Sequence, residues 1–302
     1  MSLATTPSVS ICVPAYNQAH LLASALKSAL AQTAPVLEIL VSDNCSTDET
    51  QQVAQAFAQR DVRVRYERTA THLAMPENFT RCLELARGEY IKFLCADDML
   101  EPNCVERLLT IVRGDETVSL AACARRLVDE SGEPTGLLRF AKRDWSGPGA
   151  DAARRCFYSG NLIGEPTAVM FRRSQATGGF NPEYFQLMDL EMWFRVLEQG
   201  RFAFLAEPLC SVRRHRGQAT EGSLASGRVT RDKARLFRDY GAKHAMRGTV
   251  AQRLLWDFRM AWSQQRELGA GRAVGEVDAV FYPALAAPMR AGAGLAWALR
   301  GR

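Results

Sequence analysis

The first hundred residues alternate between short apolar runs and longer segments in which apolar residues recur at helical spacing. Four runs rich in β-branched residues predict buried strands at residues 9–14, 38–42, 62–66 and 90–95. Helices are predicted at residues 18–32, from about residue 47 onward, and at residues 76–87. Ser46 or Thr47 is the expected N-cap of the second helix. This alternation predicts an α/β fold with a mostly parallel sheet flanked by helices.

The pattern after residue 101 is less regular. Strands are predicted at residues 118–129, 166–172 and 202–212, a helix at residues 189–199, and a turn at Gly178-Gly179. Beyond about residue 222 the spacing is helical, and Lys and Arg are frequent. We therefore expect a domain at residues 1–221, with halves at about 1–101 and 102–221, and a basic helical extension at residues 222–302.

Polar side chains stand where three of the predicted strands end. They are Tyr16 and Asn17 after the first strand, Asp43 and Ser46 at the second, and the Asp97-Asp98 pair after the fourth. In open α/β sheets, ligands bind beyond the carboxyl ends of the strands, so one edge is the predicted site. The Asp43 carboxylate can accept a hydrogen bond from a nucleobase N–H or a ribose hydroxyl. A polar turn that only caps the next helix is the open alternative.

Asp97 and Asp98 are candidate metal ligands. Two adjacent acids at the end of a buried strand are costly unless something pairs with them. Mn²⁺ or Mg²⁺ would do so through oxygen ligands, and would also neutralise a diphosphate. Capping of the helix after Pro102 is the alternative. In Arg213-Arg214-His215-Arg216 the imidazole can bind a metal and the guanidinium groups can pair with phosphate, unless the segment is a basic surface turn.

Taken together, these segments resemble the family 2 glycosyltransferases, which have a Rossmann-like GT-A fold. The resemblance covers about residues 8–217. It is carried by seven short motifs, which are VSICVPAYN at 9–17, VSDNCSTD at 41–48, ARGEYIKFL at 86–94, ADD at 96–98, GGF at 178–180, DLEMWFR at 189–195 and RRH at 213–215. Two positions depart from the family pattern: Cys95 stands where an Asp is common, and Met188 stands where an acid often precedes the base.

The resemblance implies an inverting transfer of a sugar from a nucleotide diphosphate sugar, with a UDP-sugar favoured, to a hydroxyl of a saccharide or lipid-linked saccharide. It places the nucleotide in the first half of the domain and the acceptor in the second, and it suggests cell-surface polysaccharide or glycolipid synthesis. Asp189 would be the general base, although alone it would count as a helix cap. The expected metal ligands are Asp97, Asp98 and His215. The expected nucleotide-sugar site contains Pro14, Tyr16, Asn17, Asp43, Ser46, Asn78 and Asp97.

Three other classes of protein compete with this interpretation. A dinucleotide-dependent dehydrogenase is disfavoured, because the Gly292-Ala293-Gly294 cluster opens no strand–turn–helix unit. A nucleotidyltransferase shares the need for a nucleotide and a metal, but residues 15–19 lack its Gly-rich basic loop. A non-catalytic nucleotide-sugar-binding module stays open because of Cys95.

Charge is unevenly distributed along the chain. The net charge is +5, yet residues 211–302 carry 17 Lys and Arg against 7 Asp and Glu. With the apolar residues of 279–302, this predicts contact with an anionic membrane surface, where a lipid-linked acceptor would lie. A solvated helix, packing on the first domain and a homodimer contact are the alternatives. Trp256, Trp262 and Trp297 stand at helical spacing and are expected in the core, so no nucleic-acid binding is expected.

The sequence also bears on the compartment. The N-terminal residues 1–7 do not resemble a signal peptide, and no apolar run reaches the length of a bilayer span. Eight scattered cysteines without a Cys-X-X-Cys pair favour reduced thiols. We expect a cytoplasmic protein that is peripheral at the inner face of the cell membrane.

Overall fold

The computed structural model describes residues 8–215, 218 and 228–269, with side chains described as far as residue 262. Residues 1–7, the Gly292-Ala293-Gly294 cluster, Trp297 and the apolar segment 279–302 lie outside the described residues, as do the predictions that rest on them. Among the described helices, none is long and apolar enough to cross a membrane.

The first half of the chain is an alternation of parallel strands and helices, as predicted. The strands are β1 (Val9–Ala15), β2 (Glu38–Asp43), β3 (Val64–Arg68) and β4 (Tyr90–Phe93). The connecting helices are α1 (Ala19–Leu30), α2 (Thr50–Ala58) and α3 (Met75–Leu85). The strands lie side by side in the order β3-β2-β1-β4, all parallel, so their carboxyl ends meet at one edge. Every residue of β1, β2 and β4 is buried, which accounts for their apolar sequences.

The predicted N-cap of α2 is wrong. The helix begins at Thr50, and neither Ser46 nor Thr47 caps it. The Ser46 hydroxyl instead accepts the N–H of Asn17 at 3.0 Å, and the N–H of Thr47 donates to Asn17 Oδ1 at 2.8 Å. Asp48 receives the N–H of Thr50 at 3.0 Å through one oxygen and the N–H of Ala19 at 3.0 Å through the other. The polar residues of the loop after β2 therefore bind the loop after β1 and the start of α1.

The second half extends the sheet with strands in both directions. The strands are β5 (Met99–Leu100), β6 (Val118–Val128), β7 (Pro134–Leu138), β8 (Trp145–Pro148), β9 (Val169–Arg172) and β10 (Arg201–Arg213). The full order is β3-β2-β1-β4-β9-β6-β10-β5, with β7 paired to β6 and β8 paired to β10. β9 is antiparallel to β4 and β6, whereas β6 and β10 are parallel. The predicted α/β fold is confirmed, and its sheet is mixed beyond β4.

Three further helices belong to this half, namely α4 (Cys104–Gly114), α5 (Gly149–Ser159) and α6 (Met188–Leu197). The predicted strand at residues 166–172 is in part a 3₁₀ turn, Pro166–Ala168, which precedes β9. Gly178 and Gly179 form the predicted turn, with φ of +79° and +66°.

An aromatic cluster fixes α6 against the sheet. The ring of Trp193, which is fully buried, lies 5.7 Å from that of Phe171 in β9 and 6.3 Å from that of Phe180. Phe180 also packs edge-on against Phe93 of β4 at 5.6 Å. Such aromatic pairs contribute about 0.5–1.5 kcal/mol each beyond the area that they bury. The first turn of α6, which carries Asp189, is therefore held by its own helix at a defined place.

The chain divides into two compact units. The first comprises Met1–Ala152, Asn161–Glu183 and Met188–His215, and the second comprises Ala153–Gly160, Tyr184–Leu187 and Arg216–Arg302. In the second unit, helices α7 (Arg228–Tyr240) and α8 (Val250–Gly269) confirm the predicted helical extension in its described part. The predicted domain division at residue 221 stays a prediction.

The second unit has a small aromatic core and one unusual polar contact. The rings of Phe237 and Trp256 stack 4.6 Å apart, with Phe157 beside them, which confirms the core position expected for Trp256. Oδ2 of Asp232 accepts three backbone N–H groups, from residues 185, 186 and 187, at 3.0, 2.6 and 3.0 Å. Burial raises the pKa of Asp232, and these three bonds oppose that rise. Helix α7 thus fixes the backbone just before α6.

Candidate active site

Asp43 lies fully buried at the end of β2, and its carboxylate is held at both oxygens. Oδ1 accepts the N–H of Ser46 at 2.9 Å, and Oδ2 accepts the hydroxyl of Tyr66 at 2.6 Å. The guanidinium of Arg68 lies 3.8 Å from Oδ2. Burial and the bond to Asp43 raise the pKa of Tyr66, so its hydroxyl stays a donor. Because a carboxylate offers about four acceptor positions, Asp43 retains capacity for a ligand N–H or hydroxyl.

The end of β1 and the loop after it contain three other predicted residues. Pro14 is buried in β1 opposite Ser42 of β2. Asn17 adopts a positive φ of 52°, with its N–H bonded to Ser46. Tyr16 is 44% exposed, and its ring lies 4.3 Å from that of His72. An exposed ring one residue after Ala15, which pairs with Asp43 in the sheet, is a suitable stacking surface for a flat base.

Asn78, on α3, is engaged with the protein itself. Its Oδ1 accepts the Ser42 hydroxyl at 2.8 Å, and its Nδ2 donates to the Ser42 carbonyl at 3.2 Å. The side chain is 4% exposed. These contacts join α3 to β2, so the structure gives Asn78 a supporting position, and its predicted contact with a nucleotide sugar stays a prediction.

Asp98 is almost completely buried, and protein groups bind both of its oxygens. Oδ1 accepts the N–H of Arg213 at 3.0 Å, and Oδ2 accepts the hydroxyl of Thr167 at 2.5 Å. Burial and the neighbouring charge of Asp97 raise the pKa of Asp98 well above its usual range. The structure therefore brings the end of β4 and the end of β10 together, as a shared site requires.

Asp97 is paired with His215. The imidazole Nε2 lies 3.1 Å from Asp97 Oδ2, and Arg213 Nε donates to the Asp97 carbonyl at 3.1 Å. The side chains of Asp97 and His215 are 17% and 8% exposed, so solvent still reaches both. Asp97, Asp98 and His215 thus lie in one cluster, although they are far apart in sequence.

The chemistry of this cluster fits a divalent cation. One ligand atom each from Cys95, Asp97 and Asp98 lie within 4.8 Å of one another. Burial, Asp98 and Asp97 raise the pKa of the Cys95 thiol, which makes it a neutral and soft group that Mg²⁺ and Mn²⁺ bind poorly. A cation would relieve the repulsion between the two carboxylates, and Asp97 and His215 are the predicted ligands whose side chains solvent reaches. The predicted ligation by Asp97, Asp98 and His215 stays a prediction.

Asp189 lies in the first turn of α6 and is 9% exposed. Its Oδ2 accepts the side-chain N–H of Asn161 at 2.8 Å, and its Oδ1 accepts the N–H of Leu190 at 2.7 Å. Burial is the main cause that raises the pKa of Asp189 to about 7. A carboxyl group with such a pKa can accept a proton near neutral pH, which is what general-base chemistry needs.

Sequence reasoning missed the partners of these groups. Tyr66, Asn161 and Thr167 each bond a predicted site carboxylate, but each lies on a different element from the residue that it binds. Nothing in the local pattern marks Tyr66 or Thr167. The segment Asn161-Leu162-Ile163-Gly164 carries only an ordinary turn signal.

A parallel half-sheet with a fixed carboxylate, an acidic pair at its carboxyl edge and a buried acid on a following helix defines an α/β enzyme of the GT-A type. The chain belongs to the glycosyl transferase family 2, whose family model matches residues 10–177, more than half of the chain.

Two relatives illustrate the range of this similarity. The uncharacterized protein MT1568 of Mycobacterium tuberculosis is 33% identical over 243 residues, which cover 76% of this chain and 75% of that protein. The chondroitin synthase of Escherichia coli is 28% identical over 219 residues, 72% of this chain. The match spans 30% of that synthase, so it concerns one part of a larger protein.

Solved structures agree on the fold. S. aureus TarS in complex with UDP-GlcNAc superposes with a TM-score of 0.63 at 16% identity, covering 95% of this chain and 79% of that one. A mannosyltransferase from Pyrobaculum calidifontis, in complex with GDP-Man and Mn²⁺, gives a TM-score of 0.64 at 19% identity, covering 97% and 81%. These likenesses confirm the GT-A fold.

Proposed function

We propose that this glycosyltransferase inverts the anomeric centre as it transfers a sugar from a nucleotide diphosphate sugar, preferably a UDP-sugar, to an acceptor hydroxyl. The observation that carries the proposal is Asp189, a buried carboxyl with a pKa of about 7 at the start of α6. It belongs to the same compact unit as the Asp97–His215 pair. TarS and the mannosyltransferase were solved with UDP-GlcNAc and GDP-Man, which supports a nucleotide-sugar donor.

The proposed reaction is a single displacement. The acceptor oxygen forms a bond to the anomeric carbon, and its proton passes to the Asp189 carboxylate. The bond between the anomeric carbon and the diphosphate oxygen breaks, and the electron pair leaves with the diphosphate. One displacement inverts the configuration and needs no covalent intermediate. Asp43, oriented by Tyr66 and Ser46, would bind the base or the ribose, with Tyr16 stacked on the base.

Asp97, Asp98 and His215 would hold Mn²⁺ or Mg²⁺, and a cation there would favour the ionised form of Asp98, whose pKa burial otherwise raises. When bound, the cation would offset the charge that develops on the departing diphosphate. The Mn²⁺ found with the Pyrobaculum calidifontis enzyme supports this choice. Arg214, which is 41% exposed and lies 3.3 Å from Glu165, is a further cation for phosphate oxygens.

The acceptor is proposed to be a saccharide or lipid-linked saccharide in cell-surface polysaccharide or glycolipid synthesis. The similarity to chondroitin synthase, which makes a polysaccharide, supports this substrate class. We also propose that the enzyme works at the cytoplasmic face of the membrane. Helix α8 exposes Val250, Leu255 and Phe258, at 63%, 50% and 39%, and such apolar side chains beside a cationic α7 suit an anionic membrane surface.

The donor is tested by thermal shift with UDP, GDP, dTDP and CDP, each with and without Mn²⁺. A ligand that binds only the folded state raises the melting temperature by mass action. We expect UDP with Mn²⁺ to give the largest rise, and the matching UDP-sugar then to release UDP when an acceptor saccharide is added. Binding of UDP without any transfer to a panel of acceptors would favour a non-catalytic sugar-nucleotide module. No shift with any nucleotide would contradict the proposal.

A further inference from the structure

Asp189, on whose proposed role as the base this inference rests, is oriented by one neighbouring amide. Nδ2 of Asn161 donates to Asp189 Oδ2 over 2.8 Å. The other oxygen, Oδ1, is bonded by the N–H of Leu190 within the same helix. Asn161 is thus the side chain that binds Oδ2 of Asp189, the oxygen that the Leu190 N–H does not bind. Asn161 and Asp189 both lie in the first compact unit.

The amide of Asn161 can point only one way without loss. Its Oδ1 accepts the N–H of Gly164 at 2.9 Å, and its Nδ2 also donates to the Gly164 carbonyl at 3.1 Å. Turning the amide round would set an NH₂ against the N–H of Gly164 and an oxygen against the carboxylate of Asp189. The two bonds to Gly164 therefore fix a donor toward Asp189, and a donor favours the ionised form of a carboxyl.

The loop that presents Asn161 is itself fixed from two sides. Trp193, one helical turn after Asp189, donates from Nε1 to the Gly164 carbonyl at 3.0 Å. Arg125 of β6, which is 2% exposed, donates to the carbonyl of Asn161 at 3.2 Å. Gly164 has a φ of +131°, and a Cβ at this position would stand 2.8 Å from the side chain of Ala168, so no larger residue fits.

The two charged groups that act on Asp189 have opposite effects on its pKa. Glu165 raises its pKa and Arg125 lowers it, while burial is the largest cause of its high value. Glu165 and Arg125 form an ion pair, so neither acts as an isolated charge. Among Glu165, Arg125 and Asn161, the neutral Asn161 is the residue that donates a hydrogen bond to the Asp189 carboxylate.

We propose that Asn161 is a positioning residue, which keeps Asp189 in its ionised, proton-accepting form and fixes the direction in which the carboxylate meets the acceptor hydroxyl. During transfer the proton passes from that hydroxyl to Asp189, and it leaves to water after product release. The bond from Asn161 is strongest to the ionised carboxylate, so it favours the state in which each cycle begins.

The test uses Asn161→Asp, which keeps the shape of the side chain and an acceptor for the Gly164 N–H. It replaces the donor that faces Asp189 and the Gly164 carbonyl with an oxygen, and the added acid also disfavours the ionised form of Asp189. A hydrogen bond to a charged group is worth about one to two pKa units, so the pKa in the pH profile of kcat should rise by about one unit or more. Transfer should fall about tenfold at pH 7 and recover toward the wild-type rate at pH 9. Asn161→Ala, which removes the donor to Asp189 together with both bonds to Gly164 but adds no new oxygen, should give a smaller rise.

Asn181→Ala is the matched control. Asn181 also accepts a backbone N–H in a loop, that of Glu183 at 3.0 Å, but this bond does not involve a carboxylate. Its pH profile should match the wild type. A loss in Asn161→Asp that is equal at every pH, or an unchanged profile, would overturn the inference. Carbon-13 NMR of the aspartate carboxyls, with the Asp189 signal identified by its absence in Asp189→Asn, gives the same titration without turnover. If Asp189→Asn itself transfers at the wild-type rate, the proposed function fails instead.

Discussion

The hydroxyl of Tyr66 in β3 donates a 2.6 Å hydrogen bond to Oδ2 of Asp43 in β2. The carboxylate is fully buried, and its other oxygen is bound by the Ser46 N–H. Tyr66 therefore sets the plane of the carboxylate that would receive the nucleotide. A ligand that binds Asp43 meets a group already oriented, so it avoids part of the ordering cost.

We predict that Tyr66→Phe weakens UDP binding by about five- to tenfold, since a bond to a charged group is lost and the carboxylate is free to turn. Isothermal calorimetry with UDP measures this change in affinity. Tyr90→Phe, at the amino end of β4 and therefore at the opposite edge of the sheet from the strand ends, is the control and should bind UDP as the wild type does. Equal affinity in Tyr66→Phe and wild type would remove Tyr66 from the nucleotide site.

Asp189→Asn should keep donor binding and lose most transfer, by about 10²–10⁴-fold, because an amide cannot accept the acceptor proton. Steady-state transfer and UDP calorimetry together separate the two effects. Glu198→Gln, an exposed acid just beyond the same helix, serves as the control. Near wild-type turnover in Asp189→Asn would show that another group is the base.

The pH dependence follows from the same residue. With a pKa of about 7, Asp189 is protonated below that pH, so kcat should rise about tenfold per unit up to pH 7 and level off above it.

The effect of Asp189 on the stability of the fold has the opposite sign. Burial raises the pKa of the folded state above the ordinary 3.8, so stability is fully present below pH 3.8 and is lost as the pH rises to 7.

This loss amounts to at most about 4 kcal/mol. Asp189→Asn, which does not ionise, should therefore melt at a higher temperature than the wild type at pH 8 and lose that advantage at pH 4. Melting curves across this range check it. A mutant that is less stable than the wild type at pH 8 would show that the carboxylate is not buried as described.

Metal binding is predicted to depend on Asp97 and His215, and not on Cys95. Asp97→Ala or His215→Ala should abolish the tightening of UDP binding by Mn²⁺, whereas Cys95→Ser should retain it, because the raised pKa of Cys95 keeps the thiol neutral. Isothermal calorimetry with UDP, in Mn²⁺ and in EDTA, measures this tightening for each variant. If UDP binds the wild type equally well in EDTA, the cluster does not use a metal for the nucleotide.

Membrane contact is predicted for the basic C-terminal region. Vesicles with anionic lipid should co-sediment the protein at low salt, and binding should weaken as salt is added, since each cation near the surface contributes about 1 kcal/mol or less. Leu255→Ser with Phe258→Ser on α8, and separately deletion of residues 279–302, should each reduce it. A protein that stays in the supernatant at low salt would contradict docking, and a dimer that dissociates in the α8 variant would favour a homodimer contact.

Sequence patterns predicted the parts of the fold whose burial is complete. β1, β2 and β4 are buried throughout and mostly apolar, so their runs were visible. β7 and β8 were missed because they pair at the margin of the sheet and keep mostly exposed, polar or Gly-rich residues. β5 has only two residues, too few to show a period. α5 begins at Gly149, and Asp151, Arg154 and Arg155 interrupt its apolar residues.

The site was predictable where a strand end and a motif coincide, as at Asp43 and Asp97. Its supporting contacts were not, because they join segments distant in sequence. Asn161 and Asp189 are 28 residues apart, and Thr167 and Asp98 are 69 apart. Such pairs depend on how β9, β10 and α6 pack, and a local sequence pattern does not predict the packing of distant elements.

The three N–H groups gathered by Asp232 bear on where the chain can be shortened. They belong to residues 185–187, immediately before the helix that carries Asp189, while their acceptor lies on α7. A protein ending at residue 221 would keep every residue of the candidate site, yet it would leave three peptide donors without that acceptor. These residues are partly buried, and exchanging each bond for one to water costs about 0.5–1.5 kcal/mol. The residues proposed for the chemistry therefore span a shorter stretch of sequence than the chain that we expect to hold them in place.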